Sequence, residues 1–275
     1  MASAGIKHAV LSITTPASVV FLGSQTKSAA LARLLNEYLA ALAYKFPQIL
    51  SFFAVIPLPY TDAAITEANY ALNRLSASGL GLLSNHEGYY LGNGTFRPFF
   101  AHINSMPSPT PIFVHPSGPC MRSSNGSLIS GNPTSYPEGF VEYYFETART
   151  FMDLTLTGTI ATFTSLKWVV SHAGGAFPAI EDRFLTSQSA DLQSESRTAY
   201  ATRFFWDVAG PVFPRQVQGL LGYNIPTSQL LYGSDFPYAP NYTYAYEIAA
   251  IDNASFLSSE EKAAMYGSNY RALFA

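Results

Sequence analysis

Three short segments each end an apolar run on a residue that can do chemistry: Ile112-Phe-Val-His115-Pro, Trp168-Val-Val-Ser-His172-Ala-Gly-Gly, and Leu230-Leu-Tyr-Gly-Ser-Asp235-Phe-Pro. Each run reads as a buried parallel strand that delivers a His or an Asp at its C-terminal end. In a (β/α)8 barrel, active sites are built at that end of the strands. Two imidazoles and a carboxylate converging there point to metal-assisted hydrolase or lyase chemistry, because those side chains bind borderline divalent ions and move protons. No His-x-His stands near the start of the chain.

The elements that must position these residues alternate. Strands are expected over 8–13, 49–56, 79–83, 111–115, 166–171, 200–207 and 229–233. Helices are expected over 28–45, 61–78, 96–105, 138–153, 216–221, 242–253 and 258–274. The first helix would bury a face made of Leu31, Leu34, Leu35, Tyr38, Leu39 and Leu42. Asp62 and Thr61 suit the cap of the second, and Ser258-Ser-Glu-Glu261 has the form of a capping box. Regular βα alternation predicts a parallel sheet covered on its faces. The strand count is seven, one short of a closed barrel. The stretches 116–137 and 184–196 follow site-bearing strands and read as long loops, candidates for lids.

A length of 275 residues suits a single domain over 1–275, and 48% hydrophobic against 12% charged residues is enough to bury a large core. A net charge of −3 gives no basic footprint for nucleic acid. No apolar run reaches the roughly 20 residues that span a bilayer. The lone Cys120 excludes a disulfide framework and favours a reducing compartment, so a cytoplasmic location is expected. The mildly apolar stretch 9–22 contains Thr14, Thr15 and Pro16 and reads as a strand with its following loop, not a leader. The Asn-x-Ser/Thr sites at Asn93, Asn125, Asn241 and Asn253 would matter only in a secreted protein.

The sequence resembles the amidohydrolase-related metal-dependent decarboxylases. This branch includes aminocarboxymuconate-semialdehyde, γ-resorcylate and fungal 6-methylsalicylate decarboxylases, and the last type is the nearest in character. The resemblance rests on the order and spacing of Gly5-Ile-Lys-His-Ala-Val-Leu-Ser-Ile, Asn36-Glu-Tyr, Leu58-Pro-Tyr, Gly79-Leu-Gly-Leu-Leu-Ser-Asn85, Tyr90-Leu-Gly, Phe113-Val-His115-Pro, Ser171-His172-Ala-Gly-Gly, Leu231-Tyr-Gly-Ser-Asp235-Phe-Pro and Gly267-Ser-Asn269-Tyr-Arg-Ala-Leu-Phe. It implies an α/β fold, the TIM-like (β/α)8 barrel of the metal-dependent hydrolase superfamily, here without strand 1 and most of helix 1. It implies that His115 and Asp235 are metal ligands and that His172 faces substrate and handles protons. His8 matches the start of the family's second strand and is no substitute for the His-x-His or Glu-x-His ligands that the resemblance places on a first strand.

The resemblance further implies a divalent metal, zinc foremost with manganese as the other choice, weakly held by this chain. It implies non-oxidative decarboxylation of a small aromatic polyketide-type acid such as 6-methylsalicylate, with His172 and Asp235 as the catalytic pair. Asn85, His86, Arg122 and Phe236 are candidates for binding substrate, with Tyr89, Tyr90 and Tyr238 around a planar ring. A hydrolase of a lactone or amide, or a truncated and impaired family member, are the alternatives, and a homodimer is the assembly allowed for. Each residue also has a plain structural reading. His115 could be a satisfied strand-end histidine, His172 a strand cap, Asp235 a helix N-cap and Asp207 a structural carboxylate.

Overall fold

A computed structural model describes residues 1, 5–132, 134–238 and 241–275, without the side chains of 241–244. The side chain of Asn241 lies outside it. Seven strands form one parallel sheet in chain order: β1 (Ala9–Leu11), β2 (Leu50–Val55), β3 (Gly79–Leu83), β4 (Pro111–His115), β5 (Lys167–Val170), β6 (Phe204–Asp207) and β7 (Leu230–Leu231). The sheet curls into a half-barrel, and among the described residues β1 and β7 are its edges.

Period-two alternation decides which residues face which way. Ile112 and Val114 of β4, Trp168 and Val170 of β5, and Phe204 and Trp206 of β6 join the large core under the helices. Their alternates Phe113, Val169 and Phe205 meet Leu231 in a smaller cluster on the concave side. Leu273 of the C-terminal turn packs into that cluster, and Lys167 Nζ donates to the carbonyls of Ala272 and Ala275 at 2.6 and 2.7 Å. The chain end therefore plugs the N-terminal mouth, leaving the opposite rim for chemistry.

The helices are α1 (Gln25–Lys45), α2 (Thr61–Arg74), α3 (Arg97–Asn104), α4 (Glu142–Leu156), α5 (Thr159–Thr162), α6 (Phe177–Leu185), α7 (Ala190–Thr202), α8 (Arg215–Leu221), α9 (Asn241–Asp252) and α10 (Ser259–Gly267). The capping box of α10 is present, Ser258 and Glu261 bonding each other's backbone N–H. The cap expected at Thr61 and Asp62 is not. Tyr60 occupies that position, and the Thr61 hydroxyl instead donates to the Thr95 carbonyl at 2.8 Å.

Other expectations are corrected. The stretch 184–196 is not a lid loop. It closes α6 and opens α7, whose first turn is capped by the Ser189 hydroxyl accepting from Leu192 N–H. The strand expected from 200 begins at Phe204, because Tyr200 still belongs to α7. The loop 116–137 carries an antiparallel hairpin, Cys120–Arg122 with Leu128–Ser130. On α1 the buried face is Ser28, Ala32, Asn36 and Leu39, while Leu34 and Tyr38 are 65% and 59% exposed. Small residues let α1 approach β2 closely, and that approach outweighs the leucine stripe. Asn36 secures it: its Nδ2 donates to the Val55 carbonyl at 2.9 Å and its Oδ1 accepts from Val55 N–H at 2.7 Å.

Candidate active site

The rim at the C-terminal ends of the strands gathers the residues that the sequence singled out. His115 ends β4. Its Nδ1–H donates to the Pro116 carbonyl at 2.6 Å, which leaves Nε2 as the lone-pair nitrogen, 3.2 Å from the Thr14 hydroxyl at the end of β1. His172 follows β5 in a turn where His172, Ala173, Gly174 and Gly175 all have positive φ. Non-glycine residues in this region carry strain, and such strain concentrates at functional sites. Several bonds hold the turn in place. His172 N–H donates to Asp207 Oδ1 at 3.1 Å, and Gln216 Nε2 donates to the carbonyls of His172 and Gly175 at 2.5 and 3.0 Å. The two imidazole rings lie 6.0 Å apart, edge to face.

Two consecutive tyrosines at the start of α4 wrap this pair. Tyr143 meets His115 edge-on at 5.9 Å, and Tyr144 lies over His172 at 5.3 Å with a 32° tilt. Asp235 stands after β7 with φ 49° and is half-buried. It lies within electrostatic reach of Tyr143, Tyr144, Asp207 and Glu247. Asp207 closes β6, 8% exposed, with Oδ1 also accepting from Ala209 N–H at 3.0 Å. Glu247 of α9 is buried, and its Oε1 has no hydrogen-bond partner among the described residues.

Burial sets the protonation of this rim. It pulls the His115 pKa down to about 4, against the Pro116 carbonyl, and that of His172 to about 3, helped by the neighbouring His115. Both imidazoles are therefore neutral at pH 7. Burial pushes Asp207 up to about 7, against two backbone hydrogen bonds, and Glu247 to about 7 with help from Asp235. It raises Asp235 as well. Tyr144 is raised further, by burial and by Asp235, Glu247 and Asp207, so its phenol keeps its proton.

Among the described residues, none of the remaining sequence candidates shares a hydrogen bond or a ring contact with the two imidazoles. Asn85 is buried, its amide donating to Ser117 Oγ, the Gly118 carbonyl and Glu146. His86 is buried against Phe96, its Nε2 accepting from Leu83 N–H at 3.1 Å. Arg122 pairs with Glu87 at 3.3 Å and lies over the Tyr89 ring. Phe236 and Tyr238 are largely exposed beside Asp235. Thr14, Tyr143, Tyr144 and Glu247 were not singled out from sequence, and only the Tyr-Tyr pair after the long loop offered a signal.

As metal donors, the neutral imidazoles, with a His172 Nδ1 that has no partner among the described residues, and the Asp235 carboxylate have the right chemistry. They do not make a complete set, since among the described residues no group of three His, Cys, Asp or Glu side chains is placed to hold an ion.

Known proteins give this arrangement its context. Decarboxylase yanB of Aspergillus niger is 34% identical over 250 residues, covering 87% of this chain and 67% of that protein. The 6-methylsalicylic acid decarboxylase of Penicillium expansum is 32% identical over 255 residues, covering 87% and 75%. The crystal structure of a dihydroxybenzoic acid decarboxylase from Polaromonas sp. JS666, with bound manganese and the inhibitor 2-nitroresorcinol, superimposes with a TM-score of 0.79 at 19% identity, covering 100% of this chain and 83% of that one. The amidohydrolase family profile matches residues 10–275, and with the relatives above 30% identity it establishes that the chain belongs to the amidohydrolase family.

Proposed function

We propose that this protein is a non-oxidative decarboxylase of a small aromatic acid of the 6-methylsalicylate type. The observation that carries the reading is the pair of neutral imidazoles, 6.0 Å apart on the rim, beside carboxyls whose protonated form burial favours. The similarity to fungal decarboxylases supports it.

The reaction replaces the carboxylate of the ring by a proton. The acid must reach the ring carbon that bears the carboxylate, and the C–C bond then breaks as CO₂ leaves. An imidazole with a pKa near 3 is a poor proton source at neutral pH, whereas a carboxyl with a raised pKa is a good one. We therefore assign the acid to the raised carboxyls of the rim, Asp235 and its neighbour Asp207, of which the one not binding an ion carries the proton, and give His172 the task of holding the substrate and the transferred proton in line. The flat faces of Tyr143 and Tyr144 suit an aromatic ring. Asn85, His86, Arg122 and Phe236 stay the candidates for contacts to the substrate, Phe236 from its exposed position beside Asp235.

A divalent ion is part of the same proposal, zinc or manganese, with His115 and Asp235 as donors; it would supply charge neutralisation at the substrate oxygens. Two donors hold an ion weakly, since catalytic zinc ordinarily keeps three protein ligands. Among the described residues no helix is long and apolar enough to cross a membrane. We read the protein as cytoplasmic, in keeping with the lone Cys120.

The test is incubation with 6-methylsalicylate, with and without added zinc or manganese, following CO₂ and 3-methylphenol. Release of both, abolished by His172→Ala and by Asp235→Asn, is expected. After dialysis against chelator the protein should hold far less than one ion per chain. Hydrolysis of lactones with such acids left intact would refute the reading.

A further inference from the structure

We propose that Tyr144 is a substrate-binding residue of this site, its hydroxyl donating a hydrogen bond to the carboxylate of the aromatic acid held against His172. The inference rests on the decarboxylase reading and names a specificity contact within it.

Tyr144 is fastened to the His172 turn by its backbone, Ala176 N–H donating to the Tyr144 carbonyl at 3.0 Å. Its ring covers His172, and its hydroxyl end reaches the loop after β6. A methyl group built on Gly210 would lie 3.0 Å from that hydroxyl and 3.4 Å from His172 Cδ2. The hydroxyl thus sits between the β5 and β6 rim loops, beside the imidazole. The absence of a side chain at Gly210 keeps the space next to it open.

This hydroxyl makes no hydrogen bond to a described residue, and no such bond contributes to its protonation. Burial, and after it the surrounding acids, keep it a neutral phenol and therefore a donor. Partly buried phenols ordinarily find a partner. Here the ring supplies the packing, while the polar tip is aimed into the rim with no hydrogen-bond partner among the described residues. A planar acid lying along the His172 edge would bring an acceptor to it. Tyr143, one residue earlier, points to His115, so consecutive residues of one helix address both imidazoles.

Tyr144→Phe removes only the hydroxyl and keeps the ring on His172. Wild type and variant are compared by KM and kcat for 6-methylsalicylate, by melting temperature, and by titration with 3-methyl-2-nitrophenol. In that compound a nitro group replaces the carboxylate and cannot leave. Loss of a hydrogen bond to a charged acceptor predicts a KM raised roughly 10-fold or more, with a smaller change in kcat. The neutral nitro analogue should bind about 2- to 10-fold more weakly, with melting unchanged. A wild type that binds and turns over while Tyr144→Phe matches it in KM and Kd overturns the inference alone. A wild type that neither binds the analogue nor releases CO₂ overturns the decarboxylase reading, and the inference with it.

Discussion

Replacing Gly175 by alanine attacks the joint between α4 and the His172 turn. Gly175 has φ 59° and ψ −127°, a conformation that L residues all but avoid. A Cβ there would lie 2.3 Å from the Tyr144 carbonyl oxygen and 2.9 Å from its carbonyl carbon and Cα. These are backbone atoms, so no rotamer change relieves the clash, and the two segments must part by about 1 Å to reach ordinary contact distance. That movement strains or breaks the Ala176–Tyr144 hydrogen bond, at about 1 kcal/mol. The backbone strain adds roughly 1–3 kcal/mol. With the displaced packing, a loss of about 3–5 kcal/mol is expected, a large part of the roughly 5–15 kcal/mol that holds a domain folded. At about 2–4 °C per kcal/mol for chains somewhat shorter than this one, the melting temperature should fall by roughly 6–20 °C. Activity should fall further, since a misplacement of about 1 Å at a reacting centre costs on the order of 100-fold. Gly158→Ala is the reference. It too has positive φ, at 70°, but no atom lies within 4 Å of its would-be Cβ, so it reads the backbone cost alone, about 1 kcal/mol. If Gly175→Ala melts within about 2 °C of wild type, or no lower than Gly158→Ala, the joint does not hold α4 against the site.

Two further outcomes are expected. Asn36→Ala leaves the N–H and carbonyl of Val55 buried without partners and removes a bond to Glu67, so urea unfolding should show a loss of about 3–5 kcal/mol; a loss under about 1 kcal/mol would mean that water or relaxation replaces these bonds. His86 has a folded pKa near 3, lowered by burial from its ordinary value near 6.5, so it contributes full stability above about pH 6.5 and loses it as pH falls toward 3. His86→Gln keeps an acceptor for Leu83 N–H without titrating, and the difference in urea midpoint between pH 7 and pH 5 should shift toward less acid sensitivity; an unchanged difference would place the His86 pKa elsewhere.

Strands β2 to β7 were legible because burial writes them as continuous apolar runs, and seven were expected in the order in which seven are found. His115 and His172 were legible because each ends such a run. α7 was not. Its residues from Ala190 to Thr202 are mostly polar, and only Ser196, Ala199 and Tyr200 are buried, so no apolar period marks a helix. The Ser189 cap was present in the text but carries little weight without a pattern behind it. The face of α1 was misread because leucines outnumber the small residues that make the contact. In the site, Thr14 reaches His115 across 101 positions of chain, and Tyr144 meets His172 through a glycine whose importance depends on where α4 lies. Spacing along a sequence holds no record of such approaches.

One cause, burial, accounts for the chemistry that the rim can perform. Taking ionisable groups out of water disfavours the charged form of each, so it lowers the imidazoles and raises the carboxyls together. By formal charge, Asp207, Asp235 and Glu247 would repel an aromatic carboxylate. With Asp207 and Glu247 near 7 and Asp235 raised, part of that charge is neutralised by protons at neutral pH. The same protons are what decarboxylation consumes. An imidazolium at His172 would attract the substrate more strongly, but its pKa near 3 leaves that form essentially unpopulated at pH 7. The rim therefore trades electrostatic attraction for a supply of acid, and leaves recognition of the ring to flat aromatic faces and neutral donors. That division of labour fits a substrate whose own charge is lost with the departing CO₂.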